Sequence, residues 1–317
     1  MKKICTTTAA LLCIFIATAQ TEGRDFKAVD DYVKSLGPLD SMSMGTVNNV
    51  VSKKFTEKID RARAIYDWVA SNINYDVKAG RTNNNAKNTP TEVLRSRKAT
   101  SIGFASLFQD MCSAADIRCL TVDGFVKTNA QQIGDKETDI NHTWAVVQLG
   151  ESPDTWFYVD PSWGSGYPDA DMKSFTKYFN PGYFFAEKQL FNWQYYPDNE
   201  AWKLGQAPKN KGDFYELPLI KGTSFEVGLK SFSPHSGKIK AKPNKAVAFS
   251  YKLKPDATVA KVSLVIGEKK KQKTKEVSFN LSGGVLSFEN KFEEESGYPV
   301  TILLDGKEFI TYYVDVE

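Results

Sequence analysis

Apolar side chains recur every three or four positions along the first part of the chain, which predicts a helical start. Phe26 to Leu36 follows this spacing, and Gly37 and Pro38 then end the helix. A longer amphipathic helix is predicted from Thr56 to Asn74, with an apolar stripe on one face and charges mostly opposite. Residues 40–49 show no such period, so we expect a loop between the two helices.

Two further helix starts are predicted. Thr89, Pro90 and Glu92 stand in the order of a capping box with a first-turn proline, so a short helix should run to about Arg95. The polar residues 81–87 before it indicate a surface loop. The next helix should begin at Thr100 or Ser101 and bury an apolar face made of Ile102, Ala105, Phe108, Met111 and Cys112.

The pattern then changes to short segments rich in Val, Thr and aromatic residues, which predict strands. Three candidates precede residue 161, namely Arg118–Lys127, Thr143–Leu149 and Trp156–Asp160. Helices first and antiparallel strands afterwards favour an α+β fold.

A polar stretch at Gln206–Asp213 indicates a change of domain, and we set the boundary between residues 216 and 217. Asp305 and Gly306 suit a tight hairpin turn between two of the strands beyond it. Predicted strands there include Ser224–Leu229, Ala246–Leu253, Lys261–Ile266, Glu276–Leu281, Val285–Phe288, Val300–Leu304 and Phe309–Val316. So many short strands in the last hundred or so residues predict an all-β, immunoglobulin-like sandwich over 217–317.

The N-terminus predicts a signal peptide. Lys2 and Lys3 precede an apolar run from Ala9 to Ala17, and the small residues 17–19 suit cleavage after Ala19. The run is too short to span a bilayer, and no other membrane segment is predicted. We therefore expect an exported protein of bacterial style, in the periplasm, at the cell surface or secreted, whose first domain is 20–216. Lipidation at Cys13 is left open.

Composition narrows the function classes. The chain is 41% hydrophobic and 13% aromatic, which suffices for ordinary packed cores. Its net charge of +3 is small for 317 residues, and no platform of interleaved aromatic and basic residues is evident, so nucleic-acid binding is not expected. No His and Cys cluster has metal-ligand spacing, and no cofactor motif is present. Cys112 and Cys119 would remain after signal cleavage, either as a disulfide or as two buried thiols.

Ser101, His142 and Asp160 together offer what a nucleophilic triad requires, namely an attacking group, a base and an acid that orients the base. The simpler alternative for Ser101 is an N-cap of the helix that starts there. A helix N-terminus lowers the pKa of a thiol, but a serine hydroxyl needs a base within hydrogen-bond reach.

The chain resembles the transglutaminase-like superfamily, a branch of the papain-like cysteine enzymes. The resemblance covers about residues 55–204 and rests on Ala64–Val69, Ile73–Asp76, Arg97–Ala105, Gly124-Phe125, His142-Thr143-Trp144 and Asp160–Trp163. Later segments resemble the kyphoscoliosis-peptidase-type subgroup, whose members often carry immunoglobulin-like domains after the catalytic one. These segments are Tyr183–Phe185, Tyr196–Asp198 and Ala201–Leu204.

The resemblance implies a papain-like fold in which His142 is the base and Asp160 the orienting acid. Members with the nucleophilic Cys form a thioester with an amide substrate and pass the acyl group to an amine or to water. Ser101 occupies that Cys position, so we expect a catalytically degenerate member that binds a protein or peptide, or a cell-envelope glycan. The alternative is an active peptidase, amidase or acyltransferase that uses the Ser101–His142–Asp160 triad. Candidates for lining the substrate cleft are Trp68, Thr100, Asn141, Trp144 and Trp163.

Overall fold

The computed structural model describes residues 24–135, 139–169, 171–268 and 271–317. The predicted signal peptide and Cys13 lie outside these residues. The described chain divides into two compact units, one made of residues 24–123 and 142–186, the other of Gly124–Asn141 and Glu187–Glu317. These units do not coincide with the two predicted domains, 20–216 and 217–317. The domain boundary between residues 216 and 217 stays a prediction.

The first unit is mixed, with its helices mostly before its strands. Its helices are α1 (Lys27–Leu36), α2 (Met44–Ser52), α3 (Lys58–Asn72), α4 (Val77–Arg81), α5 (Pro90–Ser96) and α6 (Ser101–Ala114). Its strands are β1 (Asn74–Tyr75), β2 (Lys98–Ala99), β3 (Arg118–Val126), β4 (His142–Gln148), β5 (Trp156–Val159), β6 (Gly166–Pro168) and β7 (Phe175–Lys177). The α+β fold class is confirmed.

The loop predicted at residues 40–49 is wrong in its second half, because α2 begins at Met44. Ser43 is its N-cap, and the Ser43 hydroxyl oxygen accepts a hydrogen bond from Thr46 N at 3.2 Å. Val47 and Val51 lie one turn apart and are fully buried, so tertiary packing supports a helix that propensity alone did not indicate.

Helix α3 is buried on more sides than an amphipathic helix requires, since its charged residues Arg63 and Asp67 are also buried. The Arg63 guanidinium forms two hydrogen bonds with Asp30, at 2.9 and 3.0 Å, and an ion pair with Asp67 at 3.0 Å. Burial raises the pKa of the Asp67 carboxyl well above its usual value, although Arg63 opposes the shift. The expectation that charges lie mostly opposite the core therefore fails at these two residues.

Strand β4 is buried along its whole length. It pairs antiparallel with β5, with Ala145 opposite Val159 and Gln148 opposite Trp156, and α6 packs on it. In the order of the sheet, β3 follows β4. The chain enters the second unit within β3, where Gly124–Val126 pairs antiparallel with β8.

The second unit is rich in strands. Its helices are α7 (Lys188–Gln194), α8 (Lys211–Glu216) and α9 (Gly222–Glu226). Its further strands are β8 (Tyr195–Pro197), β9 (Leu219–Ile220), β10 (Ser231–Ser233), β11 (Lys238–Ala241), β12 (Ala246–Lys252), β13 (Val262–Ile266), β14 (Lys273–Glu276), β15 (Asn280–Ser282), β16 (Val285–Lys291), β17 (Gly297–Leu304) and β18 (Lys307–Val316). The strand predicted over Ser224–Leu229 is wrong, because α9 occupies its start.

Two sheets of this unit pack face to face. One has the order β10-β12-β16-β15, and the other β11-β18-β17-β13-β14 with β9 also paired to β18. Aromatic rings fill the space between them, since Phe249 lies 5.7 Å from Tyr312 and Tyr251 lies 5.1 Å from Phe309, centroid to centroid. Asp305 and Gly306 form the turn between β17 and β18, as predicted. A β-rich C-terminal region is thus confirmed, whereas its immunoglobulin-like type stays a prediction.

None of the helices within the described residues combines the length and the apolar character that crossing a membrane would require.

Candidate active site

Ser101 is the first residue of α6, and Thr100 is the N-cap. The Thr100 amide donates to Asn88 Oδ1 at 3.1 Å, and Asn88 Nδ2 donates to Thr100 Oγ1 at 2.8 Å. Thr100 Oγ1 in turn donates to Asn85 Oδ1 at 3.1 Å. The N-cap interpretation of Ser101 is therefore wrong, and the Ser101 hydroxyl does not cap the helix.

Local backbone geometry directs the chain into this helix start. Arg97 ends α5 in the left-handed conformation, at φ 56°, and β2 then pairs parallel with β1. Gly103 allows the first turn of α6 to pack closely, since a Cβ there would lie 2.6 Å from Asn88 Oδ1 and 2.8 Å from Ala99 Cβ. Ile102 was predicted to be buried, but its side chain is 37% exposed beside Ser101.

His142 opens β4, and Asp160 directly follows β5. His142 Nε2 lies 2.7 Å from Asp160 Oδ2, and the two side chains are 6% and 0% exposed. With Nε2–H donating to the carboxylate, Nδ1 is the nitrogen that can accept a proton. The predicted base and orienting acid are therefore in contact.

Asp160 is held from its other side by the turn that follows it. Asp160 Oδ1 accepts hydrogen bonds from the Ser162 amide at 2.8 Å, from Ser162 Oγ at 2.8 Å and from the Trp163 amide at 3.1 Å. Ser162 was not among the predicted site residues. The signal that could have found it is Asp followed two residues later by Ser, a pattern typical of side chains that bond the backbone of their own turn.

The Ser101 hydroxyl is joined to β4 beside His142. Ser101 Oγ accepts a hydrogen bond from the Thr143 amide at 3.3 Å, and Ser101 is 7% exposed. Thr143 Oγ1 donates to Asp123 Oδ1 at 2.6 Å, and this bond joins the Thr143 side chain of β4 to β3.

Helix α3 supports the turn after Asp160. The Tyr66 hydroxyl donates a hydrogen bond to the Asn180 carbonyl, and the Asn180 amide donates to the Gly164 carbonyl at 2.9 Å. The Gly164 amide donates to the Asp160 carbonyl at 3.0 Å. Gly164 needs to lack a side chain, because a Cβ there would lie 2.1 Å from the Tyr66 hydroxyl oxygen. Burial raises the pKa of Tyr66 well above its usual value, so its hydroxyl stays protonated as a donor.

Two tryptophans lie next to the His142 ring. Trp163 meets it edge to face at 5.5 Å between centroids, and Trp144 lies nearly parallel at 6.4 Å. Trp144 is fully buried, whereas Trp163 is partly exposed. Trp163 is therefore the candidate cleft residue that combines contact with His142 and accessible surface.

The remaining cleft candidates have other surroundings. Trp68 is fully buried, and its indole N–H donates to the Gly37 carbonyl at 3.2 Å. Asn141 is exposed, but its side chain bonds both backbone groups of Val126, at 2.9 and 3.0 Å. Thr100 is buried and engaged with Asn88 and Asn85, as described above. The assignment of these residues to a cleft stays a prediction.

Cys112 and Cys119 are both buried free thiols in the described chain. Burial raises the pKa of the Cys112 thiol well above its usual value, and the neighbouring Cys119 adds to the shift. No group of three or more His, Cys, Asp or Glu side chains that could hold a metal ion occurs among the described residues.

Comparison with known proteins shows which family the chain is similar to. Residues 45–161 match the family model of the transglutaminase-like superfamily. Kyphoscoliosis peptidase of Mus musculus is 32% identical over 204 residues, which are 63% of this chain and 30% of that protein. The Lim and transglutaminase domain protein ltd-1 of Caenorhabditis elegans is 26% identical over 216 residues, 64% of this chain and 29% of that protein.

The chain thus spans about 30% of the length of the curated relatives it matches. Among solved structures, a swine CD8αα homodimer is 12% identical with a TM-score of 0.20, and covers 27% of this chain and 96% of its own. A likeness this weak carries no argument about the fold of the β-rich region. The two relatives and the family match confirm the predicted resemblance.

Proposed function

We propose that the transglutaminase-like domain of this chain, which is of the kyphoscoliosis-peptidase type, binds extended peptide segments of other proteins at the Ser101–His142–Asp160 site without cleaving them. Ser101 holds the position of the nucleophilic Cys in thiol-bearing members of the superfamily. The observation that carries the proposal is that Ser101 Oγ bonds the Thr143 amide at 3.3 Å, while His142 is bonded to Asp160 at 2.7 Å.

The chemistry of the hydroxyl supports the loss of catalysis. A thiol at a helix N-terminus ionises readily and attacks as the thiolate, whereas a serine must pass its proton to a base during the attack. The amide of Thr143 engages the oxygen of Ser101 but cannot accept that proton. A peptide can still be held at such a site by apolar contact with Trp163 and the exposed Ile102 side chain.

Export belongs to the proposal and is supported by the pattern of residues 1–19, as described above. A protein or peptide partner is favoured because relatives carry the name of a peptidase, although the match covers about 30% of those proteins. A cell-envelope glycan is the other partner class that an exported member could meet.

Binding is tested by passing a library of unstructured peptides over the immobilised full chain and analysing bound and unbound peptides by mass spectrometry. We expect a subset to be retained intact and to be lost in Trp163→Ala. Trp202→Ala is the matched control, because Trp202 is also a partly exposed tryptophan but lies in the second unit. Retention of no peptide at all would refute binding, and cleaved peptides would refute the loss of catalysis.

A second candidate function is hydrolysis or acyl transfer by Ser101 itself. It is favoured by the full burial of Asp160 and its contact with His142, an arrangement that serine hydrolases use to orient the base. A fluorophosphonate probe should then label the unmodified protein and leave Ser101→Ala unlabelled. We expect no labelling of either, since the proposal assigns Ser101 no attack.

Ser101→Cys tests whether the rest of the site is intact. Because the base and the helix N-terminus are in place, we expect iodoacetamide to alkylate the new thiol at least about tenfold faster than in the Ser101→Cys, His142→Ala double variant. Cys112 and Cys119 should contribute little background, since both are buried. Equal rates in the two variants would show that His142 does not act on residue 101.

A further inference from the structure

The Asp160 carboxylate takes part in three polar contacts from the turn after β5 and one from His142 on β4. Asp160 Oδ2 faces His142, and Asp160 Oδ1 accepts from the Ser162 amide, the Ser162 hydroxyl and the Trp163 amide. The Asp160 amide also donates to the Tyr183 carbonyl at 3.0 Å. Oδ2 therefore bonds the imidazole, and Oδ1 bonds the turn that follows Asp160.

Of the three donors to Oδ1 described above, the Ser162 hydroxyl belongs to a side chain. The amides of Ser162 and Trp163 belong to the backbone and would be present with any residue at position 162. The hydroxyl lies 2.8 Å from Oδ1 and is buried, so water cannot readily replace it. A carboxylate that loses this donor gains freedom to rotate about χ2, which would move Oδ2 away from the ring.

We propose that Ser162 is a positioning residue that fixes the rotamer of Asp160 and thereby the tautomer and orientation of the His142 ring. This inference rests on the assignment of His142 and Asp160 to the functional site, but it does not depend on whether Ser101 reacts. The Ser162 hydroxyl bonds Asp160 Oδ1, so its effect on the imidazole passes through Asp160.

The chain suits a direct test because it contains only two histidines, His142 and His235. Ring nitrogen shifts of ¹⁵N-histidine-labelled full chain report the tautomer of each ring. We expect a fixed Nε2–H tautomer at His142 in the unmodified protein and a mixture of tautomers in Ser162→Ala, with His235 unchanged. Ser162→Thr keeps a hydroxyl and should restore the fixed tautomer.

Ser165→Ala is the matched control, because Ser165 is buried in the same turn but its hydroxyl donates to the Ser162 carbonyl at 2.7 Å rather than to Asp160. It should leave the His142 tautomer as it is. In the Ser101→Cys background, Ser162→Ala should also reduce the His142-dependent alkylation rate about tenfold, whereas Ser165→Ala should not.

The proposal is overturned if Ser162→Ala keeps the fixed His142 tautomer, or if Ser165→Ala changes it equally. If Ser162→Ala does not fold, Ser162→Cys offers a side chain of similar size and a weaker donor. The ring nitrogen shifts of His142 in that variant then show whether the tautomer stays fixed. Failure of peptide retention, by contrast, would remove the proposed function and leave the tautomer result standing.

Discussion

Lys127 is a buried lysine whose titration should make stability depend on pH. Its side chain is 1% exposed, its ammonium donates to the Phe214 carbonyl at 2.6 Å and lies 3.8 Å from the centre of the Phe214 ring. Burial lowers the pKa of Lys127 to about 7, and Glu216 only partly offsets the shift. In the unfolded chain the lysine keeps an ordinary pKa near 10.4, so the unfolded state binds more protons above pH 7.

The free energy of unfolding should therefore increase with pH, because stability rises with pH wherever the unfolded state binds more protons than the folded state. Between about pH 7 and pH 9, the free energy of unfolding should rise by roughly 1.4 kcal/mol per pH unit relative to Lys127→Met. Urea unfolding at each pH measures it. Lys211→Met is the matched variant, because it removes another lysine that lies over an aromatic ring, 3.5 Å from Phe125, but from a partly exposed position, and its slope is the baseline for comparison. A flat difference for Lys127→Met would contradict the prediction.

The candidate nucleophile, base and acid could be predicted from the sequence by residue type. The residues that hold these side chains in place could not. Serine, histidine and aspartate in this order indicate a triad by residue type, and His142 and Asp160 do meet. Thr143 acts on Ser101 through its backbone amide, which every residue except proline carries, so its side chain gave no signal. Asn141, a predicted cleft residue, bonds the Val126 backbone with its side chain, a contact that residue type alone did not indicate, and its place in a cleft stays a prediction.

The start of α6 depends on a loop that precedes it by more than ten residues. Asn88 is buried and bonds both the amide and the hydroxyl of Thr100, which orders the turn before Ser101. Asn88→Ala would leave the buried Thr100 amide without its acceptor, which should lower the free energy of unfolding by about 1–3 kcal/mol. Urea denaturation measures the loss.

Asn84→Ala is the control for this element, because Asn84 is exposed and its side chain bonds only the Ala86 amide, at 3.1 Å, among the contacts described. It should change stability by less than about 0.5 kcal/mol. A similar loss in both variants would mean that the loop as a whole, rather than the Asn88–Thr100 pair, supports the helix.

Elements with a strong period or a distinctive start were predicted well, and elements defined by packing were not. Thr89 and Pro90 begin α5 as expected, with the Thr89 hydroxyl accepting from the Glu92 amide. The strand predicted at Trp156–Asp160 is observed as Trp156–Val159. Helix α2 was missed because glycine, asparagine and valine have low helix propensity. The helix is supported instead by the packing of its buried face.

At the scale of the whole molecule, the sequence indicated two domains in order along the chain, whereas the compact units are interleaved. Residues Gly124–Asn141 belong to the unit that otherwise begins at Glu187. Sequence composition changes most clearly near Gln206–Asp213, so the boundary was set there. A short segment that joins a distant part of the chain leaves no such compositional signal, since it is recognised only by what it packs against.

This arrangement predicts that residues 20–216 will not form a stable fragment alone. Within the second unit, Ala130 and Ile133 pack in a buried cluster with Leu219, and Tyr313 lies against it. Removing residues 217–317 would expose that cluster and leave the Glu216 carbonyl without its bond from the Gly237 amide, which measures 2.7 Å. We expect the fragment to unfold at lower temperature than the same region in the full chain and to bind a hydrophobic dye.

A variant of the full chain that weakens the same buried cluster is the companion to the 20–216 fragment. Leu219→Ala in the full chain should cost about 2–5 kcal/mol through loss of buried apolar contact, and it should loosen residues 130–133 in hydrogen exchange more than residues of the first unit. If the 20–216 fragment instead melts cooperatively at the temperature of the full chain and exchanges slowly at Ala130 and Ile133, those residues do not depend on the C-terminal strands. The boundary predicted at residues 216 and 217 would then be the correct one, because a fragment that keeps its own core closed is an independent domain.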